Sequence, residues 1–417
     1  MVLKKILPCL LFSLLLFTCK EKKAEMPVPV TDNTILPPPA PGDTTTRDST
    51  TLPIPSATLV ESEKRNFYDK ESLKSAAGML GYGDLTGYIK YSAQSYLVKY
   101  KTRFMNKEIT ASGLLFVPDN STSEMPILSF QHGTTFKKSD APSSSSYSEA
   151  VLLSAAGYIT LVPDYIGYGI SASEFHPYYI KEYSAGVVVD LIRAGREFLK
   201  NNSIHFKNKI FLAGYSEGGY VSMAAQETIE KNYPDINLIA VAAGAGGFDL
   251  NSMLADLTSD SNYPNPGYLS FLLTSFDICN NWGKGPEYFF GDSFENKFPV
   301  LLNGSYSASY INNQLTTDLN NLLDSAFYSD LKKGGEEFFR NEINENSIGT
   351  WPAHTPIRIY HGTADEIVPY KNSASFSEKL KSSGASSVTF IPIQNGTHGS
   401  SFKPMAVDFL NWFEMLK

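Results

Sequence analysis

The sequence predicts an α/β protein with a mostly parallel central sheet, helices on both faces and an inserted cap. Three observations carry this reading. Short apolar runs rich in β-branched residues recur along the chain and alternate with segments of helical periodicity, the pattern of strands joined by crossover helices. One of these runs, Lys209 to Ala213, meets the helical segment Gly219 to Lys231 through Gly214-Tyr215-Ser216-Glu217-Gly218. Such a turn lifts a serine hydroxyl above the edge of a parallel sheet. Finally, an aromatic-rich stretch of about 100 residues separates two of the strands, too long to be a simple loop.

Taken in order, the chain opens with the basic Met1-Val2-Leu3-Lys4-Lys5, followed by the apolar run Ile6 to Phe17, too short to span a bilayer, and Cys19. Residues 1–18 therefore read as an export signal. Leu16-Phe17-Thr18-Cys19 resembles a bacterial lipoprotein box, which implies cleavage before Cys19 and a lipid anchor on its thiol. Thr18 stands where Gly or Ala is usual, and a conventional signal peptide cut nearby is the alternative. The resemblance implies an outer-membrane or cell-surface location, the alternative a secreted or periplasmic one. Residues 19–60 are charged at first, then rich in Pro, Thr and Asp. They bury too little apolar surface to offset their ordering entropy, and read as a disordered tether.

The folded domain is expected over residues 61–417. Two antiparallel strands, Ser95 to Phe104 and Glu108 to Pro118, precede the alternating part. Further strands are expected at Pro126 to Gln131, Tyr158 to Pro163, Lys209 to Ala213, Leu238 to Ala243, Pro356 to Gly362 and Ser387 to Ile393. The helix from Tyr183 to Lys200 sets Val187, Leu191, Ala194 and Phe198 on one face, the stripe of a sheet-packing helix. Lys371 to Lys381 is a second helix. Residues 250–352 form the cap, whose Met253-Leu254, Tyr268 to Leu273, Trp282, Tyr288-Phe289-Phe290 and Phe338-Phe339 suit a small core of their own and the lining of an apolar pocket. The serines from Ser143 to Ser146 read as a loop before a helix.

Ser216 is the candidate nucleophile. A serine hydroxyl reacts only when a neutral imidazole takes its proton and a carboxylate holds that imidazole in the right tautomer. Asp365, in the loop after the strand Pro356 to Gly362, supplies the acid, with the adjacent Glu366 as alternative. Of six histidines, His398 follows the acid, just beyond the last strand, and is the candidate base. His132 and His361 stand at strand ends before glycine, His176 in a Pro/Tyr loop, His205 and His354 in linker-like positions. Charge on a tetrahedral intermediate needs two N–H donors. They are expected from Glu217, next after the serine, and from Thr134 in the loop His132-Gly133-Thr134.

From about Ser95 onward the chain resembles the α/β-hydrolases of the carboxylic-ester type. The segment Val162-Pro163-Asp164-Tyr165-Ile166-Gly167-Tyr168-Gly169, followed by His176-Pro177-Tyr178 and the helix Tyr183 to Leu199, is similar to the secretory lipase family and related bacterial esterases. The resemblance implies an α/β-hydrolase core with an inserted lid and ester hydrolysis through an acyl-enzyme. A serine peptidase of the same fold would use the same three residues and remains an alternative. A surface-tethered binding lipoprotein on this scaffold would predict a broken trio, whereas all three residues are present.

Other chemistries find little support. Cys9 lies in the leader and Cys19 would be acylated, leaving Cys279 alone of the three cysteines, so no disulfide is expected. No spacing of Cys, His and carboxylates suggests zinc and no phosphate loop follows a strand, so no cofactor is expected. A net charge of −8, with scattered basic residues, argues against nucleic acid as a partner. The expected substrate is a small-molecule, lipid or glycan ester.

Overall fold

The computed structural model describes residues 58–119, 123–145 and 148–417. The leader, Cys19 and the tether up to residue 57 lie outside the described residues. The strands are β1 (Leu59–Tyr68), β2 (Ala93–Phe104), β3 (Lys107–Pro118), β4 (Met125–Gln131), β5 (Ile159–Pro163), β6 (Phe206–Tyr215), β7 (Leu238–Gly244), β8 (Ile357–Gly362) and β9 (Val388–Ile393). They form one sheet in the order β1-β2-β3-β5-β4-β6-β7-β8-β9. From β1 to the β3/β5 pair the neighbours run antiparallel, and from the β5/β4 pair to β9 they run parallel.

Because strand side chains alternate between faces, each apolar run feeds two cores. Ile127, Ile210, Leu212, Val241 and Ile359 point to one face. Leu128, Phe211, Ala213, Ala240 and Tyr360 point to the other. On the first face lie α3 (Lys181–Asn201) and α4 (Glu217–Asn232), with Val187, Leu191, Ala194 and Phe198 of α3 all buried. The second face is covered by α2 (Ser148–Ala155) and α10 (Phe402–Leu416), whose Met405, Phe409 and Phe413 are fully buried. A Tyr370–Ser382 helix, α9, connects β8 to β9.

Two early elements, β1 and α1 (Lys70–Met79), lie outside the sequence expectation. Strand β1 begins at Leu59, inside the stretch assigned to the tether, so the folded chain begins before residue 61. Eight of its ten residues are exposed, and it holds its place by pairing with β2, Glu61 facing Lys99 with a 2.8 Å salt bridge.

Between β7 and β8 the chain leaves the sheet. It forms α5 (Leu250–Ser259), α6 (Pro266–Cys279), several helices of four to six residues, α7 (Ser325–Lys332) and α8 (Glu337–Asn346). Local chemistry starts these helices: Asp249 accepts from Ser252 N at 3.0 Å to cap α5, and Pro266 opens α6. Most aromatics of this segment pack against one another, Trp282 edge-on to Phe338 at 4.7 Å and Phe289 to Phe327 at 5.3 Å. Among the described residues no helix is long and apolar enough to cross a membrane.

Candidate active site

Strands β4, β6, β7, β8 and β9 run parallel and end at one edge, where loops of an open α/β sheet gather their functional groups. At that edge β6 passes into α4 through three glycines that have no room for a side chain. A Cβ on Gly214 would stand 2.1 Å from Gly218 O, one on Gly218 2.0 Å from Gln131 O, and one on Gly219 2.4 Å from Gly244 O. All three obstacles are backbone atoms. This close approach leaves Ser216 at φ 60°, ψ −127°, a conformation that L-residues adopt at a cost of about 1–3 kcal/mol. Its backbone is locked there, because its N–H donates to Gly244 O at 2.8 Å and its carbonyl accepts from Gly219 N at 2.9 Å.

Asp365 follows β8. One carboxylate oxygen, Oδ1, accepts the N–H groups of Ile367 and Val368, each at 2.9 Å. The other, Oδ2, is 2.7 Å from His398 Nδ1 and 3.3 Å from His361 Nε2. Burial alone would raise this carboxyl's pKa, but the bonds from His361 and His398 outweigh it and hold the group well below its ordinary 3.8. His361 Nδ1 lies 2.6 Å from Ser373 Oγ, and its Nε2 lies 2.9 Å from Val368 O. Since Val368 O and Asp365 Oδ2 only accept, Nε2 carries a hydrogen.

His398, in the loop after β9, brings its Nε2 to 2.9 Å from Ser216 Oγ. Its backbone is held at both ends: the N–H donates to Glu366 Oε2 at 3.1 Å and the carbonyl accepts from Tyr215 Oη at 2.6 Å. Ser216, His398 and Asp365 thus form one hydrogen-bonded line. Glu366, weighed as the alternative acid, touches the backbone of His398.

The loop after β4 runs beside the serine, a Cβ on Gly133 coming 3.5 Å from Ser216 Cβ. Thr134 Oγ1 lies 3.1 Å from Tyr178 Oη. Among the described residues no acceptor is paired with the N–H of Thr134 or Glu217. The positive end of the α4 dipole lies at the same point. Among the other histidines, His132 stacks on Tyr165 at 4.1 Å, His361 backs Asp365, and His205 and His354 are exposed.

One pair escaped the sequence reading. Glu217, considered there only for its N–H, buries its carboxylate with Oε1 2.7 Å from His176 Nε2. The partners are 41 residues apart, and nothing local to either signals the contact.

Ser216 opens into a cavity whose lining includes Tyr178, Tyr179, Met253, Leu254, Tyr268 and Val368. Of the residues singled out in the segment 250–352, Met253, Leu254, Tyr268, Leu269, Leu272 and Phe339 reach it, while Trp282, Tyr288, Phe289, Phe290 and Phe338 do not. Burial, and after it Glu217, pushes the Tyr268 phenol up to about 12, so this ring meets the cavity as a neutral hydrogen-bond donor. Among the described residues no group of three or more His, Cys, Asp or Glu could hold a metal ion.

Comparison with known proteins bears on this arrangement. The chain matches the secretory lipase family over residues 139–268 and 304–415, more than half its length. Lipase 10 of Candida albicans is 23% identical over 269 residues, 62% of this chain and 55% of that protein, so the chain spans about half the length of this curated relative. Among solved structures, the rice cell wall degrading esterase LipA from Xanthomonas oryzae superposes with a TM-score of 0.75 at 22% identity, covering 87% of this chain and all of that one. A Legionella pneumophila protein provisionally assigned as a hydrolase gives 0.78 at 24% identity, covering 86% and 98%. With its fold, strand order and family match taken together, this chain has the α/β-hydrolase fold and belongs to the secretory lipase family.

Proposed function

We propose that the protein hydrolyses carboxylic esters through an acyl-enzyme formed on Ser216. In the first step Ser216 Oγ attacks the ester carbonyl while His398 Nε2 takes its proton. Asp365 keeps the His398 hydrogen on Nδ1 and stabilises the imidazolium. The N–H groups of Glu217 and Thr134, aided by the α4 terminus, hold the charge that develops on the carbonyl oxygen. His398 then passes its proton to the departing alcohol. A water molecule, deprotonated by the same imidazole, then attacks the acyl carbonyl, and the acid leaves as Ser216 Oγ takes the proton back from His398.

The observation that carries this reading is the 2.9 Å and 2.7 Å line from Ser216 through His398 to Asp365, opening into an apolar cavity. The family match and the names of the relatives, a lipase and an esterase, support it. The apolar lining favours an ester with an apolar acyl or aromatic group over a charged peptide. Residues 250–352 act as the cap over this cavity. The protein is exported, its leader removed and Cys19 lipidated, with the segment up to β1 as tether. The family's description as secretory supports export.

The test is Ser216→Ala assayed on a short p-nitrophenyl ester. Turnover should fall by several orders of magnitude while circular dichroism is unchanged. Residual activity within tenfold of wild type would remove Ser216 from the role.

A further inference from the structure

We infer that His176 is a positioning residue that neutralises the Glu217 carboxylate beside the oxyanion site. The inference rests on the ester-hydrolase reading above. Glu217 is only 2% exposed, and His176 only 7%. His176 Nδ1 lies 2.9 Å from Ile166 O, and since a carbonyl only accepts, Nδ1 carries a hydrogen. In a neutral imidazole the second nitrogen would then be a bare lone pair. A bare lone pair does not approach a carboxylate oxygen to 2.7 Å, so one proton lies between Nε2 and Glu217 Oε1. Whether written as imidazolium and carboxylate or as imidazole and carboxylic acid, the pair has no net charge.

Neutrality matters because of where Glu217 stands. It follows the nucleophile directly, and its own N–H faces the oxyanion in the proposed mechanism. An unpaired carboxylate on that residue would oppose the negative charge that this N–H exists to stabilise, in surroundings that screen it poorly. Tyr168, Tyr178 and Tyr179 of the 165–179 loop and Tyr268 of α6 lie within electrostatic reach of Glu217: burial raises their phenols, and a charge on Glu217 raises them further. Nearby His132, on the loop after β4, has its imidazole lowered by burial, with Glu217 pulling it up and His176 pushing it down. Among the described residues the ion-pair partner of Glu217 is His176. The pair also joins the two oxyanion loops, since Tyr178, two residues beyond His176, meets Thr134 Oγ1 at 3.1 Å.

The test is a kinetic cycle on a short p-nitrophenyl ester, comparing wild type, His176→Ala, Glu217→Gln and the double variant, with kcat and KM resolved and melting temperatures measured. His176→Ala should lower kcat by roughly 10- to 100-fold with little change in KM, because the lost interaction opposes charge present only in the transition state. Adding Glu217→Gln should recover at least about tenfold of that kcat, although it removes the remaining partner of the contact. A merely structural pair gives the opposite order: the double variant would be no faster than His176→Ala, and that result overturns the inference. Wild-type kcat in His176→Ala overturns it too. If His176→Ala fails to fold, His176→Gln, whose amide donates to Glu217 without supplying the proton, is compared with and without Glu217→Gln under the same criteria. Wild-type protein without ester turnover would instead refute the parent reading and remove the inference with it.

Discussion

Replacing Asp365 with Asn removes one charge and no heavy atoms, and the surroundings dictate how the amide must sit. The N–H groups of Ile367 and Val368 both point at Oδ1, at 2.9 Å, so the amide oxygen takes that position. Its NH2 then occupies the place of Oδ2, 2.7 Å from His398 Nδ1. Two donors cannot share that contact. His398 therefore moves its hydrogen to Nε2, which lies 2.9 Å from Ser216 Oγ and now donates where it must accept. The imidazole keeps its place and loses its function. A wrong tautomer in such a line costs about 10⁴ in kcat, or about 5.5 kcal/mol in the barrier. Initial rates on a short p-nitrophenyl ester, with circular dichroism to confirm folding, measure the loss. A fall of less than about tenfold would refute the reasoning and point to Glu366, already at the His398 backbone, as the group that orients the base.

Other consequences follow from the same geometry. Because the Asp365 carboxyl is held below its ordinary 3.8, its stabilisation is fully present above that value and is lost as pH falls through the lowered one. The melting-temperature gap between wild type and Asp365→Asn should therefore narrow between about pH 4 and pH 2; a constant gap contradicts this. Gly218→Ala forces a methyl to within 2.0 Å of Gln131 O and 2.7 Å of His132 O, and should cost about 1–3 kcal/mol or more. Calorimetry should show a melting point lower by about 2–10 °C, with reduced turnover because the loop bearing Thr134 must shift. An unchanged melting point would contradict the packing. Met253→Trp should fill part of the cavity beside Ser216 and shift preference toward short acyl groups, lowering the decanoate-to-butyrate ratio of kcat/KM by about tenfold or more. An unaltered ratio would place the acyl group elsewhere.

The sheet was legible because its parallel strands are buried on both faces, so Ile127-Leu128 and Ile210-Phe211-Leu212 stand out as continuous apolar runs. Strand β1 lacks that signal: Leu59–Tyr68 is charged and mostly exposed, and only backbone pairing with β2 makes it a strand. Helix α10, absent from the sequence expectation, carries a stripe at helical spacing in Met405, Phe409 and Phe413. The order serine, acid, histidine was visible because each residue follows a strand, and the sheet brings those ends together. What supports them was not visible. His361 looks like any strand-end histidine until the chain turns back at Val368 and sets it against Asp365. The His176 contact to Glu217 depends on a loop folding over the start of α4, a tertiary event with no local pattern. The aromatics of residues 250–352 stand out in the sequence as a group, but which of them face the cavity depends on helix orientations that periodicity does not encode.

The measurement that tests the central claim most directly is covalent labelling with a fluorophosphonate, read by intact mass and peptide mapping. The line from Asp365 through His398 to Ser216 predicts one adduct per chain, on Ser216, absent in Ser216→Ala and strongly slowed in His398→Ala. An adduct on another residue, or folded wild-type protein that stays unlabelled, would contradict it.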